Sequence, residues 1–312
     1  MEEMNQTMVT YFIIKGISDV PQLQAPIFIL VLFLYLMTLG GNMTIFHLVC
    51  QDPHLHTPMY FFLGNLSILD MSHTTVTSHR VLVNFISGHN SVSYVSYLLQ
   101  FYIFVSLAAN QLLILTAMSY DRYVAICNPL CYHMTMSRTV CVLLVIFCWV
   151  ISFLESLPYL VLVAQYTCYR SNIINHFFCD VIPLLKLTCS DTTVFYILVF
   201  SESLFTILTP FMLTFISYVF IITAILRIRS SSGRRKAFYT CSSHLTVVIL
   251  LYVSLTCQYI RPSAKDNLDE NKMLSLFNTA IVPLLNPLIY SLKNKDVKSA
   301  LKRKLITSKT LL

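Results

Sequence analysis

The sequence predicts an all-α membrane protein, a seven-transmembrane helix bundle followed by a C-terminal amphipathic helix on the membrane surface. Of its 312 residues, 56% are hydrophobic and only 11% are charged, and the mean hydropathy is +0.69. A soluble domain carries about a quarter charged residues, so lipid must be the solvent for most of this chain. Seven apolar runs are long enough to cross a bilayer, which takes about 20 residues.

The predicted spans, in chain order, are 25–50, 57–80, 93–123, 140–163, 193–227, 237–260 and 273–292. Three of these apolar runs are each interrupted by one carboxylate, namely Asp70, Glu155 and Glu202. The first ten residues have neither the basic region nor the apolar core of a signal peptide. We therefore expect the first span itself to direct membrane insertion.

The distribution of basic residues predicts the orientation. With the N-terminus outside, Arg122, Arg138, the basic residues within 227–236 and the basic C-terminal tail all lie inside, as the positive-inside rule requires. The sequon at Asn5 is usable for glycosylation only in that orientation. The predicted single domain, 1–312, thus has an extracellular segment 1–24, the seven spans with their loops in 25–292, and a cytoplasmic tail 293–312.

The tail has the pattern of an interfacial helix. Val297, Leu301 and Leu305 recur every four residues among lysines and an arginine. Such a helix lies on anionic lipid with its apolar face inward, so membrane lipid is a predicted partner.

Several classes of protein are excluded by what the sequence lacks. There is no Gly-rich phosphate loop, no HExxH motif, no nucleophile–base pair and no metal-ligand spacing, so neither an enzyme nor a cofactor is expected. The net charge of +7 is concentrated on one membrane side, which does not indicate nucleic-acid binding. A transporter or channel would need internal repeats or a charged pore ring, and an opsin would need a lysine within 273–292.

Four motifs carry a resemblance to a known family. They are "PMYFFLGNLSILD" in the second span, "MSYDRYVAICNPL" at the end of the third, "KAFYTCSSHLTVV" entering the sixth, and "NPLIYSLKNKDVKSALKR" closing the seventh. Together they resemble the odorant receptors, a family of rhodopsin-like G-protein-coupled receptors, over essentially the whole chain. Taken alone, the Asp-Arg-Tyr triplet indicates a snorkelling interfacial ion pair; the three neighbouring motifs point instead to the receptor role.

The resemblance implies a receptor that binds a small volatile odorant and activates a heterotrimeric stimulatory (olfactory) G protein to raise cAMP. It also implies the plasma membrane of olfactory neuron cilia, reached with the help of trafficking chaperones. A G-protein-coupled receptor for a non-odorant small molecule, acting outside the olfactory epithelium, is the alternative, which the site of expression would distinguish.

The resemblance also assigns roles in activation. Asp70 is a carboxylate in mid-membrane, where a charge costs several kcal/mol unless it is hydrated or paired. It is expected either to be a structural hydrogen-bonding residue or to form a polar core with Asn42 and Gln111. Because Gln111 stands where relatives commonly have glutamate, no sodium ion is expected. The residues implied in coupling to the G protein are Asp121, Arg122, Tyr123, Tyr218, Asn286, Pro287 and Tyr290.

The odorant is expected in the outer half of the bundle. Helical spacing places Phe104 and Ala108 on one face of the third span, with Val105 and Ala109 beside them. The resemblance adds Glu202, Ser203, Thr206, Tyr252, Tyr259 and Thr279 from the fifth, sixth and seventh spans. A helical stripe of this kind is also compatible with packing alone.

Glu155 and Glu202 leave two interpretations open. Each can be a neutral carboxyl bonded to a neighbour such as His176, because a buried unpaired carboxylate takes up a proton. Alternatively, one of them recognises a cationic or hydrogen-bond-donating odorant such as an amine.

The outer loop 164–192 holds three cysteines in an oxidising compartment. The resemblance implies a disulfide between Cys168 and Cys189 and a second bridge from Cys179 to the third span, where this chain has Tyr97 instead. Cys179 is then a free thiol, pairs otherwise within the loop, or reaches Cys257. A loop less firmly tied to the third span predicts reduced surface expression that Tyr97→Cys improves.

Overall fold

Seven helical spans make up the bundle in the computed structural model, which describes residues 9–18, 20–259 and 268–310. Four of them are continuous helices that match the first four predicted spans: α1 (Pro21–Gln51), α2 (Pro58–Ser87), α3 (Tyr94–Cys127) and α5 (Arg138–Ala164). The fifth span consists of α7 (Thr193–Ser203) and α8 (Thr209–Leu226), the sixth is α9 (Ser231–Tyr259), and the seventh consists of α10 (Leu268–Leu276) and α11 (Val282–Lys293). The predicted fold class is confirmed.

The fifth and seventh spans are each interrupted by one π-helical turn, Leu204–Leu208 and Phe277–Ile281 respectively. Short helices α4 (Tyr132–Thr135) and α6 (Val181–Leu187) lie in the loops on either side of α5. The sixth span begins six residues before the predicted position 237. Arg234 and Arg235, which the prediction placed in the inner loop, therefore belong to its first turns.

The second span is the least apolar of the seven. Among the described residues, the other six are long and apolar enough to cross a membrane by length and composition. The second carries Asp70, His73, Thr74 and Thr77, all at most 6% exposed. These polar side chains face other helices rather than lipid, so α2 can cross the bilayer without exposing them.

Local signals fix the helix ends. Ser93 and Ser137 accept backbone N–H groups at the start of α3 and α5, as N-cap residues do. Gly88 ends α2 in the left-handed conformation, with φ +66°, which glycine adopts without steric cost.

A small sheet covers the outer end of the bundle, and the sequence did not predict it. Strand β1 (Tyr11–Ile14) lies between β2 (Ser91–Ser93), to which it is antiparallel, and β3 (Ile173–Ile174), to which it is parallel. Phe12 and Ile14 are fully buried. They pack into an outer core with Val92, Tyr97, Leu98, Phe101, Val163, Tyr166, Ile174, Cys179, Leu184, Leu185 and Phe195.

The C-terminal helix α12 (Lys295–Thr310) is docked against the inner end of the bundle. Val297 and Ala300 are buried, whereas Leu301 is 37% exposed and so free to contact lipid; the side chain of Leu305 lies outside the described part. Arg303 donates to the Asp52 carboxylate at 2.5 Å. This hydrogen bond lowers the pKa of Asp52 to about 2.

We expect the buried face of β1 to be essential for stability. Phe12→Ala removes a fully buried ring and should destabilise the receptor by about 3–5 kcal/mol, since the cavity cannot collapse completely. Thermal unfolding of the purified receptor in detergent measures this loss. Tyr11→Ala is the matched control, because Tyr11 is on the same strand but 49% exposed. Equal effects of the two substitutions would contradict the burial argument.

Candidate functional site

A carboxylate shared by three helices lies at the centre of the bundle. Asn286 on α11 donates to both oxygens of Asp70 on α2, at 3.0 and 2.9 Å. Gln111 on α3 donates to Asp70 Oδ1 at 3.1 Å. All three side chains are at most 6% exposed. The structure therefore brings Asp70, Gln111 and Asn286 into direct contact.

Asn42 lies beside this cluster with partners of its own. Its amide donates to Thr38 O at 3.0 Å and to Pro283 O at 3.2 Å. Pro283 is four residues before Pro287, which has no N–H to give to that carbonyl. Asn42 thus satisfies the backbone acceptor that the proline leaves free, as a helix in lipid requires. Gly41 makes the close approach possible, since an added Cβ would lie 3.1 Å from Pro287 Cγ.

The cytoplasmic end of α3 carries the Asp-Arg-Tyr triplet. Asp121 accepts a hydrogen bond from Tyr132 of α4 at 2.8 Å. Within the described parts of the chain Asp121 and Arg122 form no salt bridge, but the Arg122 charge acts on the Asp121 carboxylate alongside the Tyr132 hydrogen bond. Arg122 is within electrostatic range of the Tyr218 and Tyr290 hydroxyls. Neither Arg122 Nε nor the Tyr290 hydroxyl has a hydrogen-bond partner among the described residues.

His244 links three helices at this end of the bundle. Its Nδ1 lies 2.6 Å from the Tyr218 hydroxyl on α8, and its Nε2 lies 3.1 Å from the Leu115 carbonyl oxygen on α3. A carbonyl only accepts, so Nε2 carries the proton and Nδ1 accepts from Tyr218. His244 is part of the motif KAFYTCSSHLTVV, from which no role for this residue could be predicted. Its full burial depends on helix packing that the motif does not reveal. Tyr123 packs nearby, its ring 5.9 Å from that of Phe220.

The predicted ligand residues on α3 lie under the outer loop. Phe104 and Ala109 are buried, and Val105 and Ala108 are half-buried. The Phe104 ring has the His73 ring at 4.9 Å on one side and the Phe178 ring at 4.8 Å on the other. Phe178 belongs to the loop between β3 and α6, so this contact joins the loop to the predicted cavity wall.

The predicted residues of the sixth and seventh spans are also buried. Tyr252 is 8% exposed, and its ring packs edge-on against Phe211 at 5.2 Å. Thr279 is 1% exposed and donates to Ser275 O at 2.8 Å. The side chain of Tyr259 lies outside the described part of the chain.

Glu155 and Glu202 interact electrostatically across the gap between α5 and α7. Both are half-buried, and Ser203 donates to Phe200 O within its own helix. Two buried polar atoms here, Glu155 Oε1 and Thr206 Oγ1, form no hydrogen bond of normal geometry among the described residues, although the Thr206 hydroxyl acts on the Glu155 carboxylate.

His176 is not a partner of these glutamates, so that expectation was wrong. Its Nδ1 accepts the Phe178 backbone N–H at 3.4 Å, and its ring stacks on Phe177 at 4.8 Å. Burial, assisted by nearby Lys272, lowers the pKa of His176 to about 3. The imidazole is therefore a neutral packing group beneath the loop.

The outer loop contains the disulfide Cys168–Cys189. Cys179 is a buried free thiol, and Cys257 is free and exposed, so neither of the alternative pairings is formed. Tyr97 is fully buried and donates to Asp180 O at 2.5 Å. The loop is thus held to α3 by a hydrogen bond at the position that lacks a cysteine. The predicted glycosylation site Asn5 lies outside the described residues.

An open groove of about 470 Å³ lies between α5 and α7. Its walls are apolar apart from Gln165 and include exposed residues such as Val161 and Val194. The residues predicted to bind the odorant are not among those that line it.

Comparison with known proteins gives one consistent result. A sequence model of the olfactory receptor family matches residues 31–308. Human olfactory receptor 6C1 is 47% identical over 296 residues, 95% of each chain. Human olfactory receptor 8D1 is 44% identical over 302 residues, 97% of this chain and 98% of its own. Mouse olfactory receptor 5M5 is 45% identical over 296 residues, 95% and 93% of the two chains.

The buried loop residue Asp180 should make the stability of the outer loop depend on pH. Its side chain accepts the Val181 N–H at 2.7 Å, but burial dominates and raises its pKa from 3.8 to about 6. A carboxyl with a raised pKa in the folded state favours folding below pH 3.8 and loses that contribution as the pH rises through about 6. Relative to Asp180→Asn, the parent should lose about 1 kcal/mol between pH 5.5 and 7.5.

The measurement is the thermal unfolding of parent and variant in detergent at both pH values. Asp191→Asn serves as the control, because Asp191 is exposed and its pKa is lowered by Thr193. That control should keep the pH dependence of the parent. An Asp180→Asn variant with the same pH dependence as the parent would show that Asp180 titrates normally.

Proposed function

Because this chain belongs to the olfactory receptor family, we propose that it binds its odorant in the outer half of the bundle and activates a stimulatory G protein at the inner face. It is a multi-pass receptor of the plasma membrane, and its activity is signalling rather than catalysis. The observation that supports coupling best is the sharing of Asp70 by α2, α3 and α11. That cluster lies between the predicted odorant residues and Arg122.

The odorant acts on an equilibrium between two arrangements of the bundle. A ligand shifts such an equilibrium only through its differential affinity for the two states. The contact between α9 and α3 that must change is the His244–Leu115 hydrogen bond. Outward movement of α9 would break this bond together with the His244–Tyr218 bond. The released Tyr218 hydroxyl, and the Tyr290 hydroxyl that already lacks a partner among the described residues, could then bond Arg122. Arg122 then presents a cation at the cytoplasmic opening.

The rim of that opening suits an acidic or polar partner surface. Arg227 and Arg229 follow α8, Arg234 and Arg235 begin α9, and all four are exposed; Lys236 follows them in the sequence. The G protein is the proposed partner, with a rise in cAMP as the output. The same basic residues support an extracellular N-terminus and a cytoplasmic α12 resting on the inner leaflet. We place the receptor in olfactory neuron cilia, delivered there with trafficking chaperones.

The two outer carboxylates favour a particular class of odorant. Glu155 Oε1 and Thr206 Oγ1 are buried and interact only weakly with each other, and such groups are stabilised by a ligand that donates hydrogen bonds. An amine, or an alcohol as a weaker donor, fits Glu155 and Glu202 together. Of the two interpretations of Glu155 and Glu202 that the sequence leaves open, we therefore propose recognition of a hydrogen-bond-donating odorant rather than a neutral carboxyl bonded to a neighbour.

Arg122→Ala should abolish the cAMP response while leaving surface expression near that of the parent, since it removes only the cation offered to the G protein. Cells that coexpress the olfactory G protein and trafficking chaperones are tested with a broad odorant panel. Arg138→Ala is the matched control, because it removes an exposed basic side chain on the same face and should respond normally. A full cAMP response from Arg122→Ala would exclude the proposed role.

Glu202→Gln and Glu155→Gln should weaken responses to amines, because a charge-assisted hydrogen bond contributes about 1.5–3 kcal/mol. The half-maximal concentration for amines should rise by about ten- to a hundredfold, with a smaller rise for alcohols. Asp191→Asn, an exposed outer carboxylate, is the control. If amine and alcohol potencies are the same in all four receptors, the carboxylates do not contact the ligand.

A further inference from the structure

The hydroxyl of Tyr97 occupies a junction between α3 and the outer loop. Tyr97 is in the first turn of α3 and is fully buried. Its hydroxyl donates to the backbone oxygen of Asp180 at 2.5 Å. A phenylalanine would fill the same apolar space but would not form this hydrogen bond.

The N-terminal strand meets the same tyrosine. The Phe12 ring on β1 lies 5.2 Å from the Tyr97 ring and 5.2 Å from that of Tyr169 in the loop. Tilted and edge-to-face aromatic pairs of this kind are stabilising beyond the area they bury. The N-terminal strand and the outer loop therefore both meet α3 at Tyr97.

The loop segment between β3 and α6 is held at two points. At its start, the His176 carbonyl accepts the Gly16 backbone N–H at 3.0 Å. At its end, the Asp180 carbonyl accepts the Tyr97 hydroxyl. Phe178 and Cys179 lie between these two points and are fully buried, and the Phe178 ring rests against Phe104.

We propose that Tyr97 is a positioning residue for the odorant site: its hydroxyl fixes Asp180 and so seats Phe178 against Phe104, the proposed cavity wall. This inference rests on the proposed function, since it concerns the shape of the same cavity. The odorant does not touch Tyr97. Its affinity depends on Tyr97 through the rigidity of the loop, because a preorganised wall needs no ordering when the ligand binds.

Tyr97→Phe is the direct test, because it keeps the ring and removes only the hydroxyl. Loss of one hydrogen bond should raise the half-maximal odorant concentration about three- to tenfold, with the maximal cAMP response unchanged at matched surface expression. Tyr102→Phe is the control, since Tyr102 donates to Phe153 O at 3.0 Å on α5 and not to the loop. Its potency should equal that of the parent, and an unchanged potency in Tyr97→Phe would overturn the proposal.

A covalent substitute provides a second test. Tyr97 and Cys179 lie in the same buried core, and the Tyr97 hydroxyl bonds the residue that follows Cys179. Tyr97→Cys should therefore form a disulfide with Cys179, detected by mass spectrometry of non-reduced peptides. That bond should hold the loop in place of the lost hydrogen bond. The double variant Tyr97→Cys/Cys179→Ser cannot form it, so the single variant should have the odorant potency closer to that of the parent. Equal potency of the single and double variants, with the disulfide formed, would count against positioning.

Hydrogen exchange separates this inference from the proposed function. In the purified receptor without ligand, amides of residues 177–180 should exchange faster in Tyr97→Phe than in the parent and in Tyr102→Phe. If no odorant activates the parent, the proposed function fails, and the exchange rates still report on the junction. Equal exchange in all three proteins would show that the hydroxyl does not position the loop.

Discussion

A carboxylate in the middle of a membrane must be satisfied by protein, and the arrangement of this bundle follows from how Asp70 is satisfied. Lipid offers no hydrogen bonds, so donors from other helices have to reach α2. Asn286 and Gln111 supply them, which fixes the rotation of α11 and α3 about their axes. The polar side chains that accompany Asp70 on α2 then face inward. This explains how the least apolar span can cross the membrane.

The same requirement explains the contact between the first and seventh spans. Pro287 follows Asn286 directly, so the helix that brings a donor to Asp70 also has an unsatisfied carbonyl one turn earlier. Asn42 bonds that carbonyl, and Gly41 lets α1 come close enough to do so. Motion of α11 would disturb both sets of bonds together. The hydrogen bonds of Asp70 and Asn42 should therefore change together, although no hydrogen bond joins these two residues.

Much of this fold could be predicted from the sequence because lipid imposes a simple rule on composition. The seven spans, the inner basic side and the disulfide of the outer loop all follow from residue type and family resemblance. Strand β1 could not be predicted, since a four-residue run has too little periodicity and its partners lie about 80 and 160 residues away in sequence. The role of His244 and the hydrogen bond of the Tyr97 hydroxyl were similarly hidden, because each depends on a carbonyl oxygen of a distant segment. A backbone acceptor has no signature in the sequence.

Helix α3 connects the outer loop to the cytoplasmic face through one side of its surface. Tyr97, Phe104 and Gln111 are seven residues apart, two turns of an α-helix, and Arg122 follows after three more turns. With the loop, the cavity wall, the polar core and the arginine on one face, α3 is anchored along its length. Conformational change must then come from its neighbours.

The π-turns in the fifth and seventh spans contain Thr206 and Thr279, and such turns mark functional sites in otherwise regular helices. Odorant contact at these turns would move α8 and α11 against a fixed α3, which is the relative motion that the His244 and Asp70 contacts can transmit inward.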